Sequence, residues 1–191
     1  MEERTGEAGR ARTRTTSRRL SYVLRHAPGS IGLTLDGEGW VEVEELLDGL
    51  AATGAPVSRA ELEQLVASSD KQRFAFDASG TRIRANQGHS VPVDLGLDEV
   101  APPPELFHGT VQQSLPGIRV AGLTRRSRHH VHLSPDVATA RAVGARRGPP
   151  RVLVVAAQQM AADGHRFYRS ANGVWLTDAV PPRYLSELPD P

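Results

Sequence analysis

"RFAFDASGTRIRA", residues 73–85, is where the periodicity of the chain changes. Phe74 and Phe76 alternate, "DASG" has turn composition, and Ile83 and Ala85 alternate back, which is the signature of a β-hairpin. Upstream the apolar spacing is helical. Ser17 reads as an N-cap, and Leu20, Val23, Leu24 and Ala27 follow at helical intervals until Pro28. "GWVEVEELLDGL", residues 39–50, puts Val43, Leu46, Leu47 and Leu50 on one face. Ser58 and Glu61 have capping-box spacing ahead of Leu62, Leu65 and Val66. Three helices followed by a two-stranded wing predict a winged-helix-like lobe over residues 17–90, with residues 1–16 as a mobile polar tail. Such a lobe often docks on nucleic acid, an inference that rests on analogy of fold.

Downstream, residues 91–104 are proline-punctuated and aperiodic, and read as a linker. Residues 105–191 read as a second, strand-rich lobe. "ELFHGT" (105–110), "HHVHLS" (129–134), "RVLVVAA" (151–157) and "NGVWLT" (172–177) are its strand candidates. "SLPGIRVAGL" (114–123) is a short helix leaving through Gly122. "DVATARAVGARRG" (136–148) is a helix opened by Ser134 and Pro135, with the proline at its first position. The expected class is α+β.

The length of 191 residues suits one large domain or two small ones. Hydrophobic content of 39% and charged content of 24% predict a folded, soluble chain. A net charge of +1 does not by itself mark a nucleic-acid binder. Lys71 is the only lysine, so nearly all positive charge sits on arginine. Arginine suits bidentate phosphate contacts, although compositional bias produces the same excess. The absence of cysteine excludes disulfides, thiolate zinc sites and a cysteine nucleophile. No apolar run approaches membrane-spanning length, and the N-terminus has no signal-peptide core. The expected location is cytoplasmic and the expected state monomeric.

Several residues invite chemistry. Arg25 and His26 close the first predicted helix, where a cation also complements the helix dipole. His129, His130 and His132 cluster, with His108 upstream. They read as metal ligands, as ordinary polar strand residues, or as partners of a polar ligand; no HExxH motif accompanies them. Arg73, Arg128, Arg146 and Arg147 are each compatible with a solvated surface. Together with Arg25 they would form a phosphate cradle if the fold gathered them. A dinucleotide fingerprint and a P-loop are both missing, which argues against a Rossmann dehydrogenase or a P-loop kinase. No aspartate cluster suits magnesium-dependent phosphoryl transfer.

These motifs occur together in one family. "LSYVLRHAPGSIGL", "DGEGWVEVEELL", "DKQRFAF", "IRANQGHS", "FHGT", "SRHHVHLS", "VGARRG" and "NGVWLT" follow the order and spacing of the RNA 2′-phosphotransferases, the KptA-type enzymes. The chain resembles that family from residue 17 to about 185. The resemblance implies an N-terminal winged-helix-like RNA lobe and a C-terminal lobe of the ADP-ribosyltransferase fold. It implies NAD+ as a consumed co-substrate with no metal, and an RNA partner carrying an internal 2′-phosphate, as at a tRNA splice junction. It implies catalytic roles for Arg25, His26, Arg73 and Arg128. The His-Gly-Thr element falls on His108, Gly109 and Thr110, and the second signature histidine on His132, followed by Ser134. These five are the expected NAD+-binding residues. The third signature position falls on Val174, where many protein-modifying relatives carry glutamate.

Two positions depart from the family pattern. Arg126 stands where methionine is usual, and Arg147 where histidine is common. In the chemistry the resemblance implies, the RNA 2′-phosphate displaces nicotinamide, and the neighbouring ribose hydroxyl then releases the RNA as a cyclic phosphate forms. Two other readings are an ADP-ribosyltransferase that caps a nucleic-acid terminal phosphate, and an RNA-binding protein with an inactive transferase lobe.

Overall fold

Val43, Leu46 and Leu50 on one helix meet Leu20, Val23 and Leu24 on another, and this packing seeds the first of two cores. The computed structural model describes residues 2–69 and 71–189, with side chains from residue 11 onward. The chain divides into two units between Gly96 and Leu97. Among the described residues it is α+β, with six α-helices and eleven short strands. All strand pairing in the named sheets is antiparallel.

In the first unit, α1 spans Glu2–Arg25, β1 Val41–Glu42, α2 Val43–Ala52, α3 Arg59–Ala67, β2 Phe74–Phe76 and β3 Arg82–Ala85. The capping box is formed: Ser58 Oγ accepts from the Glu61 amide at 3.2 Å, and Glu61 Oε2 accepts from the Ser58 amide at 2.9 Å. The hairpin forms with Phe74 opposite Ala85 and Phe76 opposite Ile83. β1 adds to its far side, giving the order β1-β3-β2. A two-residue strand ahead of a helix leaves almost no periodic signal in the sequence.

The helix that the sequence reading starts at Ser17 runs from Glu2, so the expected tail is helical; Met1 lies outside the described residues. The extra turns carry no apolar face. Arg12 ties them to α3, and Arg19, after Ser17, ties the helix to the end of α2. Arg12 pairs with Glu61 at 2.9 Å, and the Arg19 guanidinium reaches the Thr53 hydroxyl. Alanine and arginine also favour the helical state intrinsically.

In the second unit, β4 spans Leu106–Val111, α4 Leu115–Ala121, β5 Leu123–Thr124, β6 Val131–Leu133, α5 Val137–Gly144 and β7 Pro150–Val155. Then come α6 Ala157–Ala162, β8 Tyr168–Arg169, β9 Trp175–Thr177, β10 Ala179–Val180 and β11 Leu185–Glu187. The sheets are β11-β7-β4, β6-β9-β8 and the pair β10-β5. Leu106, Leu133, Leu153, Val155, Met160 and Phe167 fill its core. The proline expected at the first position of α5 lies ahead of the cap. Asp136 caps the helix, accepting from the Thr139 amide at 2.7 Å. Ser134 is withdrawn from the helix because its amide and carbonyl bond to Phe107 on β4, at 2.7 and 2.9 Å.

Candidate functional site

In the first unit, the end of α1 places Arg25 half-buried and His26 exposed. Arg25 Nη2 donates to the Arg73 carbonyl at 3.4 Å, and its guanidinium lies 5.9 Å from the Phe74 ring centroid. Arg73 itself leads into β2. Arg25 and Arg73, 48 positions apart, therefore meet where α1 ends and the hairpin begins, with His26 next to Arg25 in the chain.

Two residues outside the predicted set build this corner. The Ser90 amide donates to the Arg25 carbonyl at 2.9 Å, and Ser90 Oγ lies 2.9 Å from His26 Nδ1. The Ser90 hydroxyl also reaches the Arg25 carbonyl at 3.5 Å, so its oxygen is left to accept from His26 Nδ1–H. Asn86 is buried at 7% exposure; its side chain donates to the Gln72 carbonyl at 2.6 Å and its amide to the Arg73 carbonyl at 2.9 Å. Gln72 sits at φ 36°, a left-handed conformation that is costly for a non-glycine residue. Asn86 thus holds the strained peptide that presents Arg73. Asn86→Ala is expected to lose about 1 kcal/mol of stability, because the strained Gln72 peptide loses the hydrogen bond that holds it; urea denaturation measures it.

In the second unit, β4 carries His108, Gly109 and Thr110, and β6 carries His132. His108 Nδ1 lies 3.1 Å from the His132 carbonyl. A carbonyl only accepts, so Nδ1 carries the proton and Nε2 is an acceptor. Arg128 Nη1 lies 3.2 Å from His132 Nδ1. A guanidinium only donates, so His132 accepts at Nδ1 and carries its proton on Nε2. The two rings thus differ in kind: Nε2 is an acceptor on His108 and a donor on His132. Ser134 adjoins them through its paired backbone bonds to Phe107. Val174 stands just ahead of β9 in a turn, its amide donating to Ser170 Oγ at 3.1 Å.

Electrostatics reinforce these proton positions. Burial pushes His108 below its ordinary 6.5; the His132 carbonyl opposes this, while Arg147 and Arg128 add to it. Arg128 is lowered by partial desolvation and by Arg147 and Arg146, yet it is solvent-exposed and a guanidinium is so strong a base that it stays charged. His130 stacks against Tyr168 at 5.4 Å and stands 3.9 Å from Asp178, apart from the His108–His132 pair. Among the described residues, no three His, Cys, Asp or Glu side chains group as metal ligands. A cavity of about 450 Å³ lined by Glu99, His165, Arg166 and Phe167 takes in none of the predicted site residues.

A depressed histidine pKa has a definite sign in stability. Above 6.5 His108 is neutral in both states. Below it, the unfolded chain takes up the proton first, so stability falls as pH drops through 6.5 toward the folded value. His108→Asn keeps a donor for the His132 carbonyl and removes the titration. Its thermal stability is expected to decline less steeply with acid than that of the wild type.

Comparison with known proteins bears on these residues. The model of the RNA 2′-phosphotransferase, Tpt1 / KptA family matches residues 11–179. The chain belongs to this family. A relative in Nostoc punctiforme is 55% identical over 90% of this chain and 95% of its own length. Relatives in Agrobacterium fabrum and Streptomyces coelicolor are each 57% identical, over 92% and 91% of this chain and 94% of their own lengths. All three carry the name "Probable RNA 2'-phosphotransferase". The family match takes in every residue of both clusters, so the two sets of side chains belong to the shared part of the chain rather than to an appendage. No helix among the described residues is long and apolar enough to cross a membrane.

Proposed function

We propose that this chain is an NAD+-dependent RNA 2′-phosphotransferase. The observation that carries the proposal is the family match from residue 11 to 179, within which Arg25, beside His26 in the chain, bonds to the Arg73 carbonyl. The first unit, with its three helices and hairpin, is read as winged-helix-like and RNA-binding. The second, with its small antiparallel sheets, is read as ADP-ribosyltransferase-like and as the holder of NAD+.

A phosphate monoester is largely dianionic at neutral pH, its second pKa being about 6. It needs orientation more than deprotonation, which fits valine rather than glutamate at position 174. The phosphate oxygen attacks the nicotinamide-bearing ribose carbon, and nicotinamide leaves with the bond electrons. The adjacent ribose 2″-hydroxyl then attacks phosphorus and loses its proton. The RNA 2′-oxygen departs and gains one, leaving 2′-OH RNA and ADP-ribose 1″,2″-cyclic phosphate. Guanidinium groups of Arg25, Arg73 and Arg128 suit the negative charge that builds on phosphorus. His26, oriented by Ser90, suits the proton transfers. His108 and His132, with their complementary acceptor and donor nitrogens, suit the polar atoms of NAD+, beside Ser134 and Thr110.

The test mixes an internally 2′-phosphorylated oligonucleotide with NAD+ and follows every product by mass. Nicotinamide, 2′-OH RNA and the cyclic phosphate are expected in equal amounts. A stable ADP-ribosylated RNA would instead identify a capping transferase. RNA binding with no nicotinamide released would identify an inactive lobe.

A further inference from the structure

The solvent side of α1 is organised as well as its core side. Leu20, Val23 and Leu24 are buried, each at 1% exposure or less, and define the inward face. Arg14, Arg18, Tyr22 and His26 follow one another at four-residue spacing, each about 6 Å further along the axis, on the opposite side. The row ends at the imidazole that Ser90 orients.

Three features set this row apart from an ordinary wet helix face. Residues 11–26 hold five arginines and no Asp or Glu, in a chain whose whole net charge is +1. Arg12 and Arg19, which lie off the row, are engaged by Glu61 and Thr53. Arg14 and Arg18 are exposed and make no side-chain hydrogen bond or ion pair among the described residues. Tyr22 is 56% exposed although the apolar face of its helix is already filled, and its ring centroid lies 6.3 Å from that of His26.

We propose that the row Arg14, Arg18 and Tyr22 is a docking track for the RNA strand that flanks the 2′-phosphorylated nucleotide. The arginines take backbone phosphates and Tyr22 stacks on a base. This rests on the RNA reading given above and extends it from the reacting phosphate to its neighbours. Guanidinium groups with no partner among the described residues, on a stretch of helix without Asp or Glu from 11 to 26, complement a polyanion, and an exposed aromatic ring gives a base a π-face that is indifferent to its identity. The track contributes affinity rather than chemistry, so its loss appears only on substrates long enough to reach it.

The test compares a 2′-phosphorylated dinucleotide with an oligonucleotide of about 12 nucleotides bearing the same group. Alanine favours helix, so Arg14→Ala/Arg18→Ala and Tyr22→Ala leave α1 intact. On the long substrate the double variant is expected to raise KM about tenfold at low salt, with kcat unchanged. The slope of log affinity against log salt should fall by about 1.4, roughly 0.7 for each phosphate no longer neutralised. Tyr22→Ala should weaken the long substrate about tenfold with the salt slope unchanged, and Tyr22→Phe should restore it. The dinucleotide should respond to none of these changes. Equal behaviour of variants and wild type on the long substrate, or an equal loss on the dinucleotide, would overturn the track. A wild-type chain that removes no 2′-phosphate from either substrate overturns the enzymatic reading instead, and the salt slope of long-substrate binding without NAD+ then judges the track by itself.

Discussion

Arg73→Ala is expected to leave the chain folded and to slow 2′-phosphate removal by about 10²–10³-fold, the usual loss when one charged donor to a transition state is deleted. The structure indicates why folding survives. The backbone of Arg73 does the structural work, since its carbonyl accepts from the Asn86 amide and from Arg25 Nη2, and alanine keeps that carbonyl. Its side chain contributes to neither bond. Arg73→Lys keeps the charge and loses the planar fork, so it too should fall well short of wild type. Arg128→Ala should act similarly on turnover, with one further consequence: His132 Nδ1 loses the donor that sets its tautomer. Single-turnover kinetics beside a thermal melt separate the two effects. Wild-type turnover by the alanine variants would remove Arg73 and Arg128 from the reaction.

Gly109→Ala is expected to unfold or severely destabilise the second unit, by about 3 kcal/mol or more, because the clash is with backbone rather than with a side chain that can turn aside. A Cβ built on Gly109 coincides with the Ala140 carbonyl oxygen, and lies 2.7 Å from the Ala140 carbonyl carbon and 2.8 Å from the Gly144 nitrogen. Helix α5 lies directly over β4 at this point. Gly144 answers from the helix side, where a Cβ would stand 2.8 Å from the Thr110 carbonyl. The resemblance places Gly109 among the NAD+ residues, and its missing side chain has a packing cause that needs no ligand. Differential scanning calorimetry tests this: a Gly109→Ala chain that melts like the wild type would show that α5 gives way at no cost.

How much was legible in the sequence differs from residue to residue. Ser58 and Glu61 announced the start of α3, and Phe74, Phe76, Ile83 and Ala85 announced the hairpin, because caps and alternation are local signals. Ser17 misled, because the helix continues before it, where Arg12 pairs with Glu61 across 49 positions, a contact that leaves no local signal. Pro135 misled for a related reason, since Phe107 draws Ser134 into a bridge and moves the cap to Asp136. Asn86 and Ser90 stood inside a quoted motif without a role, because a buried amide and an exposed hydroxyl look alike in one dimension.

By itself the sequence determined the α+β class, the main helices and strands, the absence of thiol chemistry and the membership of a family. All of these follow from composition, local periodicity or ordered motifs. Only the tertiary structure decided which groups meet within each unit. Arg25 bonds to Arg73 across 48 positions, Ser90 sets the ring of His26 across 64, and His108 takes its proton position from the carbonyl of His132 across 24. Such partners are chosen by burial and by the need of each buried polar group for a mate, and both arise only when distant segments close on one another.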